Sequence, residues 1–241
     1  MKKGTFSGLL YRELALTKKP LVVTLVSSLS AVVFSVLVVL SFRYGNLALL
    51  DEKVKEAIFG EFAFAVKALP ALSVCFTIGA SSDTAIFDVD TAWERFRRST
   101  PISCFKFALA KYTITAAFTL LVAGSAIGIT ALMCAVMGTT LAVNDIGIVV
   151  IMLTVAVVFC VIMQVSVTFF KSADKGGLVA VGVVMACLFI IIAANNLTSV
   201  EQYKLLMENG ANVIPYAPFI ILATLALGLF ATTMIYKRRE K

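Results

Sequence analysis

Six long apolar runs separated by short polar stretches set out the plan of this chain. They run over Pro20–Phe42, Phe62–Ser82, Phe107–Met137, Ile148–Phe170, Leu178–Ala194 and Ala217–Tyr236. A helix needs about 20 mostly apolar residues to cross about 30 Å of hydrocarbon, and each run predicts such a span. The third is long enough to tilt or to begin in the interface. Between the runs the pattern changes period. Phe6, Leu9, Leu10 and Leu14, with Arg12 and Glu13 among them, predict an amphipathic helix lying in the interface before the first span. Leu47, Leu50, Val54 and Ile58 mark a second such face, and Val200, Tyr203 and Met207 a short helix before the last span. The fold class expected is therefore all-α and membrane-embedded, one transmembrane domain over residues 1–241.

Composition agrees. Of 241 residues, 60% are hydrophobic and only 15% charged, more apolar surface than one soluble core can hide. The net charge of +7 is not a nucleic-acid footprint, because the basic residues sit at the ends of apolar runs and form no stripe. They report topology instead. Lys2, Lys3, Arg12, Lys18, Lys19, Arg95, Arg97, Arg98, Lys106, Lys111, Lys171, Lys175, Lys237, Arg238, Arg239 and Lys241 fall on one side of a six-span layout. Only Arg43, Lys53, Lys55 and Lys204 fall on the other, which predicts both termini in the cytoplasm and a multi-pass inner-membrane protein. The first apolar run is too long for a secretory h-region and has no small-residue cleavage site, so no cleaved leader is expected.

The chain has no His, which removes Ser-His triads, HExxH zinc sites and His relays together. Its five cysteines show no CxxC spacing and read as reduced structural thiols. No phosphate loop of the GxxxxGK[ST] type occurs, and the six spans hold no Asp or Glu. An enzyme acting within the membrane is therefore not expected, and no metal or cofactor is expected on this chain.

The loop after the second span carries the most information. In it, Thr91 with Glu94 fits a capping box, Pro101 limits the helix that follows, and Ser103 caps the next one. A short basic cytoplasmic helix with Trp93 and Phe96 results. Its aromatics serve either a partner's groove or the headgroup belt. Within the spans, Lys67 stands out as a charged residue inside the second apolar run, whereas Lys111 lies at the basic start of the third. Lys67 either lines a polar path or snorkels outward toward headgroups near Glu61. Pro70 can kink the same span, and Gln164, Asn195 and Asn196 are polar candidates for a path or for helix packing. Gly124 and Gly128 form a GxxxG in the third span.

Trp93, then Pro101-Ile102-Ser103, then Lys111-Tyr112 at the start of the next span resemble the second loop of the small bacterial ABC-2 type permeases, the membrane subunits of ATP-binding-cassette exporters. Where that family often has a basic residue after Pro-Ile-Ser, this chain has Cys104, with Lys106 two further on. The layout of the whole chain is similar: interfacial helix, six spans, coupling loop, external helical segment. The resemblance implies that the segment from Thr91 to Ser99 is a coupling helix touching an ATPase dimer through Thr91, Trp93, Glu94, Phe96, Arg97 and Pro101. ATP and Mg would then be bound by that partner, and a second copy or a sister permease would complete the membrane core. It also implies export of a hydrophobic or amphipathic peptide or drug-like substrate, along a path that Lys67, Gln164, Asn195 and Asn196 could line. An ion-coupled secondary transporter and a membrane immunity or accessory protein remain the alternatives.

Overall fold

The apolar runs become helices because a backbone in hydrocarbon must satisfy its own N–H and C=O groups. The computed structural model describes residues 4–44, 74, 78, 83–91, 93, 102–138, 140–195, 212 and 214–240, and among them there is no strand. Seven helices are described: α1 Gly4–Leu16, α2 Lys18–Tyr44, α3 Asp83–Asp90, α4 Cys104–Met137, α5 Val143–Phe170, α6 Ala173–Asn195 and α7 Ala217–Glu240. Four segments within them are long and apolar enough to cross a membrane: Leu21–Ser41, Cys104–Val136, Val143–Phe170 and Ala217–Arg239. Of the second expected span, only Val74 and Ile78 are described, both helical and buried in the main core.

Local chemistry sets the helix ends. Ser103 caps α4 as expected, its hydroxyl accepting from the Lys106 N–H, and Gly138 closes the helix in the left-handed conformation at φ 71°. The fourth span starts earlier than its apolar run. The Asp145 carboxylate accepts the Ala142 N–H at 3.1 Å and so satisfies a donor at the start of α5. The fifth also starts earlier, at Ala173, where the Ser172 hydroxyl accepts the Lys175 N–H. The proposed external helix faces of residues 47–58 and 200–207 lie outside the described residues.

α4 is packed by α1, α2, α5 and α7, and α5 in turn by α3, α4, α6 and α7. The main core joins Tyr112, Phe118, Val122 and Ala126 of α4 to Ile148, Leu153, Val157, Cys160 and Val161 of α5 and Leu225 of α7. The partnerships fix the helix directions. Gln164 of α5 meets Thr115 of α4, Thr232 of α7 meets Tyr112 of α4, and Arg239 of α7 meets Thr168 of α5. So α5 and α7 run parallel to each other and antiparallel to α4, and α1, the start of α4 and the end of α7 share one end. Arg12, Lys106, Lys111, Lys171, Lys175, Lys237, Arg238 and Arg239 all gather there, the end that the charge bias assigns to the cytoplasm.

Away from the core, Leu25, Leu29, Leu37, Leu120, Leu178, Leu222 and Phe230 are exposed, as lipid-facing positions must be. Among its described residues, helix α2 buries a narrow seam of Thr24, Ala31, Ser35 and Val38. Buried hydroxyls along the spans bond back within their own helices: Ser35 to Ala31, Thr119 to Thr115, Thr130 to Ala126 and Thr168 to Gln164. Close helix approach occurs at Gly176 against Val167 and at Gly228 against Val161 and Tyr112. At Gly124 and Gly128 an added Cβ would meet nothing within 4 Å among the described residues.

Candidate functional site

At the basic end four segments far apart in sequence converge on one buried charge cluster. Lys111 lies two turns into α4 and is only 3% exposed. Its ammonium donates to Oδ2 of Asp88 at 2.5 Å. The other carboxylate oxygen of Asp88 accepts from Nη2 of Arg12 in α1. Arg12 also donates through Nη1 to Oε1 of Glu13 at 2.6 Å, and its guanidinium lies 4.0 Å over the Trp93 ring. Two cations and two carboxylates sum to zero, which is the condition under which such groups can leave water together.

The cluster rests on an apolar floor of Leu9, Cys104, Phe107, Ala110 and Tyr236, with Phe6, Leu10, Trp93 and Ile102 packed around it. Phe107 and Tyr236 meet edge to face at 5.4 Å between centroids. The N-terminal helix, the loop after the second span, the third span and the last span are thereby joined as one body.

Glu13 shows how the helical register decides burial. Leu14, on the apolar face expected to meet the interface, is exposed, whereas Glu13 is 2% exposed. Glu13 stands seven residues after Phe6 and four after Leu9, so it shares their face. Burial raises its carboxyl pKa above the ordinary 4.5, the neighbouring Asp88 charge adds to this, and Lys111 and Arg12 oppose it. A carboxyl whose folded-state pKa is raised binds its proton more tightly folded than unfolded, so stability falls as pH rises from 4.5 through the folded value. Thermal unfolding from that pH to neutrality should show this decline in the wild type and lose it in Glu13→Gln. Parallel pH profiles for the two would contradict the assignment.

Thr91 closes α3, its hydroxyl donating to the Phe87 carbonyl at 2.6 Å. Trp93 is half-buried, its ring beneath the Arg12 guanidinium and packed against the apolar floor. Glu94, Phe96, Arg97, Pro101, Lys67 and Asn196 lie outside the described residues, and Asn195 is the last residue of α6. Gln164 is buried between spans, its Nε2 donating to Thr115 Oγ1 at 3.3 Å and to Cys160 Sγ at 3.5 Å. That is a helix-packing contact between α4 and α5.

In the sequence Arg12 stands on the amphipathic N-terminal helix and Lys111 in the Lys111-Tyr112 pair, both also counted as topology signals, while Asp88 belongs to no motif. A signal existed: Thr84, Ala85 and Asp88 share a helix face, and all three are buried. Among the described residues no three His, Cys, Asp or Glu side chains are grouped so as to hold a metal. The fold and its apolar spans define a multi-pass helical membrane protein. Comparison with protein-family models, with curated proteins and with solved structures gives no match.

Proposed function

We propose that this chain is the membrane permease subunit of an ATP-binding-cassette exporter, moving a hydrophobic or amphipathic substrate outward with ATP hydrolysed on a separate subunit. The observation that carries the reading is Asp88. It sits in the loop that would meet the ATPase and holds both Arg12 of the N-terminal helix and Lys111 of the third span.

In this reading the segment Thr91–Ser99 seats in the partner, through Phe96 and Arg97 rather than through Trp93, whose ring packs inward. Closure of the ATPase displaces the loop. Asp88 passes the displacement to α1 and α4, and the Phe107–Tyr236 contact passes it to α7, so the spans move as rigid bodies. A salt-bridged relay suits this task because its partners cannot slide past one another without leaving a buried charge unpaired.

The test is affinity co-purification of the tagged chain in mild detergent, comparing wild type with Phe96→Ala/Arg97→Ala. An ATP-binding-cassette subunit should accompany the wild type and be lost from the variant, whose own thermal unfolding should be unchanged. A wild-type protein that purifies alone and folded would overturn the exporter reading in favour of a secondary transporter or an accessory protein.

A further inference from the structure

A second feature of the basic end takes no part in the coupling relay. The last turns of α5 and α7 border an open groove of about 450 Å³ lined by Phe169, Phe230, Met234, Ile235, Arg238 and Arg239. Phe230, Met234 and Arg238 recur every four residues, so they share one face of α7. Over about 12 Å of helix that face passes from apolar to cationic. Phe169, Phe230 and Met234 are exposed, and the trough is continuous with the lipid-facing side of α7.

The polar mouth is arranged for an anion. Nη2 of Arg239 donates to the carbonyls of Thr168 and Phe169 at 2.6 and 2.8 Å. Those carbonyls belong to the negative end of α5, which would otherwise repel an anion, and the guanidinium offsets that partial charge. Arg238, exposed at the groove, has no ion pair with a carboxylate among the described residues. In sequence, Lys171 follows α5 directly and Lys237 precedes Arg238, so the ends of both helices are cationic.

We propose that this groove binds one phospholipid with an anionic headgroup, its phosphate on Arg238 and its upper acyl chain along Phe230 and Met234, in the leaflet on the basic side of the protein. A zwitterionic lipid brings its own cation beside the phosphate and so gives the cationic mouth no net counter-charge, and a soluble anion would leave the apolar trough unfilled. Anionic lipid satisfies both.

Native mass spectrometry of the full chain in non-ionic detergent tests this by titration with phosphatidylglycerol, with phosphatidylcholine of the same acyl chains, and with inorganic phosphate. Phosphatidylglycerol should saturate as a single adduct. Arg238→Gln should weaken it about fivefold, the value of one basic residue at an anionic surface, and weaken phosphatidylcholine, whose choline offsets its phosphate, by clearly less. Phe230→Ala/Met234→Ala should weaken both lipids. Because Arg238 is exposed, its variant should unfold at the wild-type temperature. Equal affinity for the two lipids, or phosphatidylglycerol binding indifferent to Arg238→Gln, would overturn the proposal. So would saturation by inorganic phosphate, which would make the site one for soluble anions. A dimer that excludes lipid would do the same by naming a second copy as the occupant.

Discussion

Asp88→Ala is expected to destabilise the folded protein by about 3 to 5 kcal/mol, the usual cost of removing one partner from a buried charge pair. Lys111 is the reason the effect is large. At 3% exposure its ammonium has no route to water, and Asp88 is its ion-pair partner. Arg12 is less buried and keeps Glu13, so its share of the loss is smaller. The assignment makes a second demand. Combining Asp88→Leu with Lys111→Met removes both charges and should recover most of the stability lost in the single variant. In the coupling reading this double variant folds and retains the ATPase but no longer links hydrolysis to transport. Thermal unfolding in detergent and transport in proteoliposomes measure the two halves separately. A single variant as stable as the wild type would show that the cluster does not hold these segments together.

The second large effect lies at the α5–α6 hairpin. A Cβ added at Gly176 would stand 2.6 Å from Cα and 2.7 Å from N of Val167, both backbone atoms of the facing helix. Backbone cannot rotate aside as a side chain can, so Gly176→Ala forces the two helices apart. The cost belongs at or above the top of the usual range of about 1 to 3 kcal/mol for overpacking. Gly177→Ala is the internal control. Its nearest neighbour is the Met163 methyl at 3.4 Å, the flexible end of a side chain, so this variant should unfold close to the wild type, aided by the better helix propensity of Ala. If the neighbouring substitutions proved equally harmless or equally damaging, the close approach of α5 and α6 would be wrong.

Much of the architecture was legible because a bilayer imposes a strict rule on sequence: long apolar runs, polar ends, and basic residues biased to one side. The first, third, fourth, fifth and sixth apolar runs all reappear as helices, and Ser103 caps α4 as read. The boundaries that moved did so for local polar reasons that hydropathy ignores. Asp145 and Ser172 satisfy backbone donors ahead of the apolar runs, and the helices begin with them.

The candidate site was less legible. Thr91 and Trp93 were marked by their aromatic and capping signals, but the burial of Glu13, Asp88 and Lys111 depends on four segments meeting. Charge in a sequence looks alike whether it faces water or a counter-charge. Read singly, Arg12 and Lys111 are indistinguishable from the topology signals around them.

What the sequence by itself determined is the class of structure: helical spans, their approximate places, and the basic end on which the N-terminal helix and C-terminus lie. Those follow from transfer free energies that act on each segment independently. What only the tertiary structure decided is partnership. Asp88 with Lys111 and Arg12, Trp93 beneath a guanidinium, and Arg239 on the end of α5 are contacts between residues far apart in the chain. The free energy of such contacts exists only once the helices have packed, because desolvation of each group is offset by a neighbour that no local pattern of apolar and polar positions reveals.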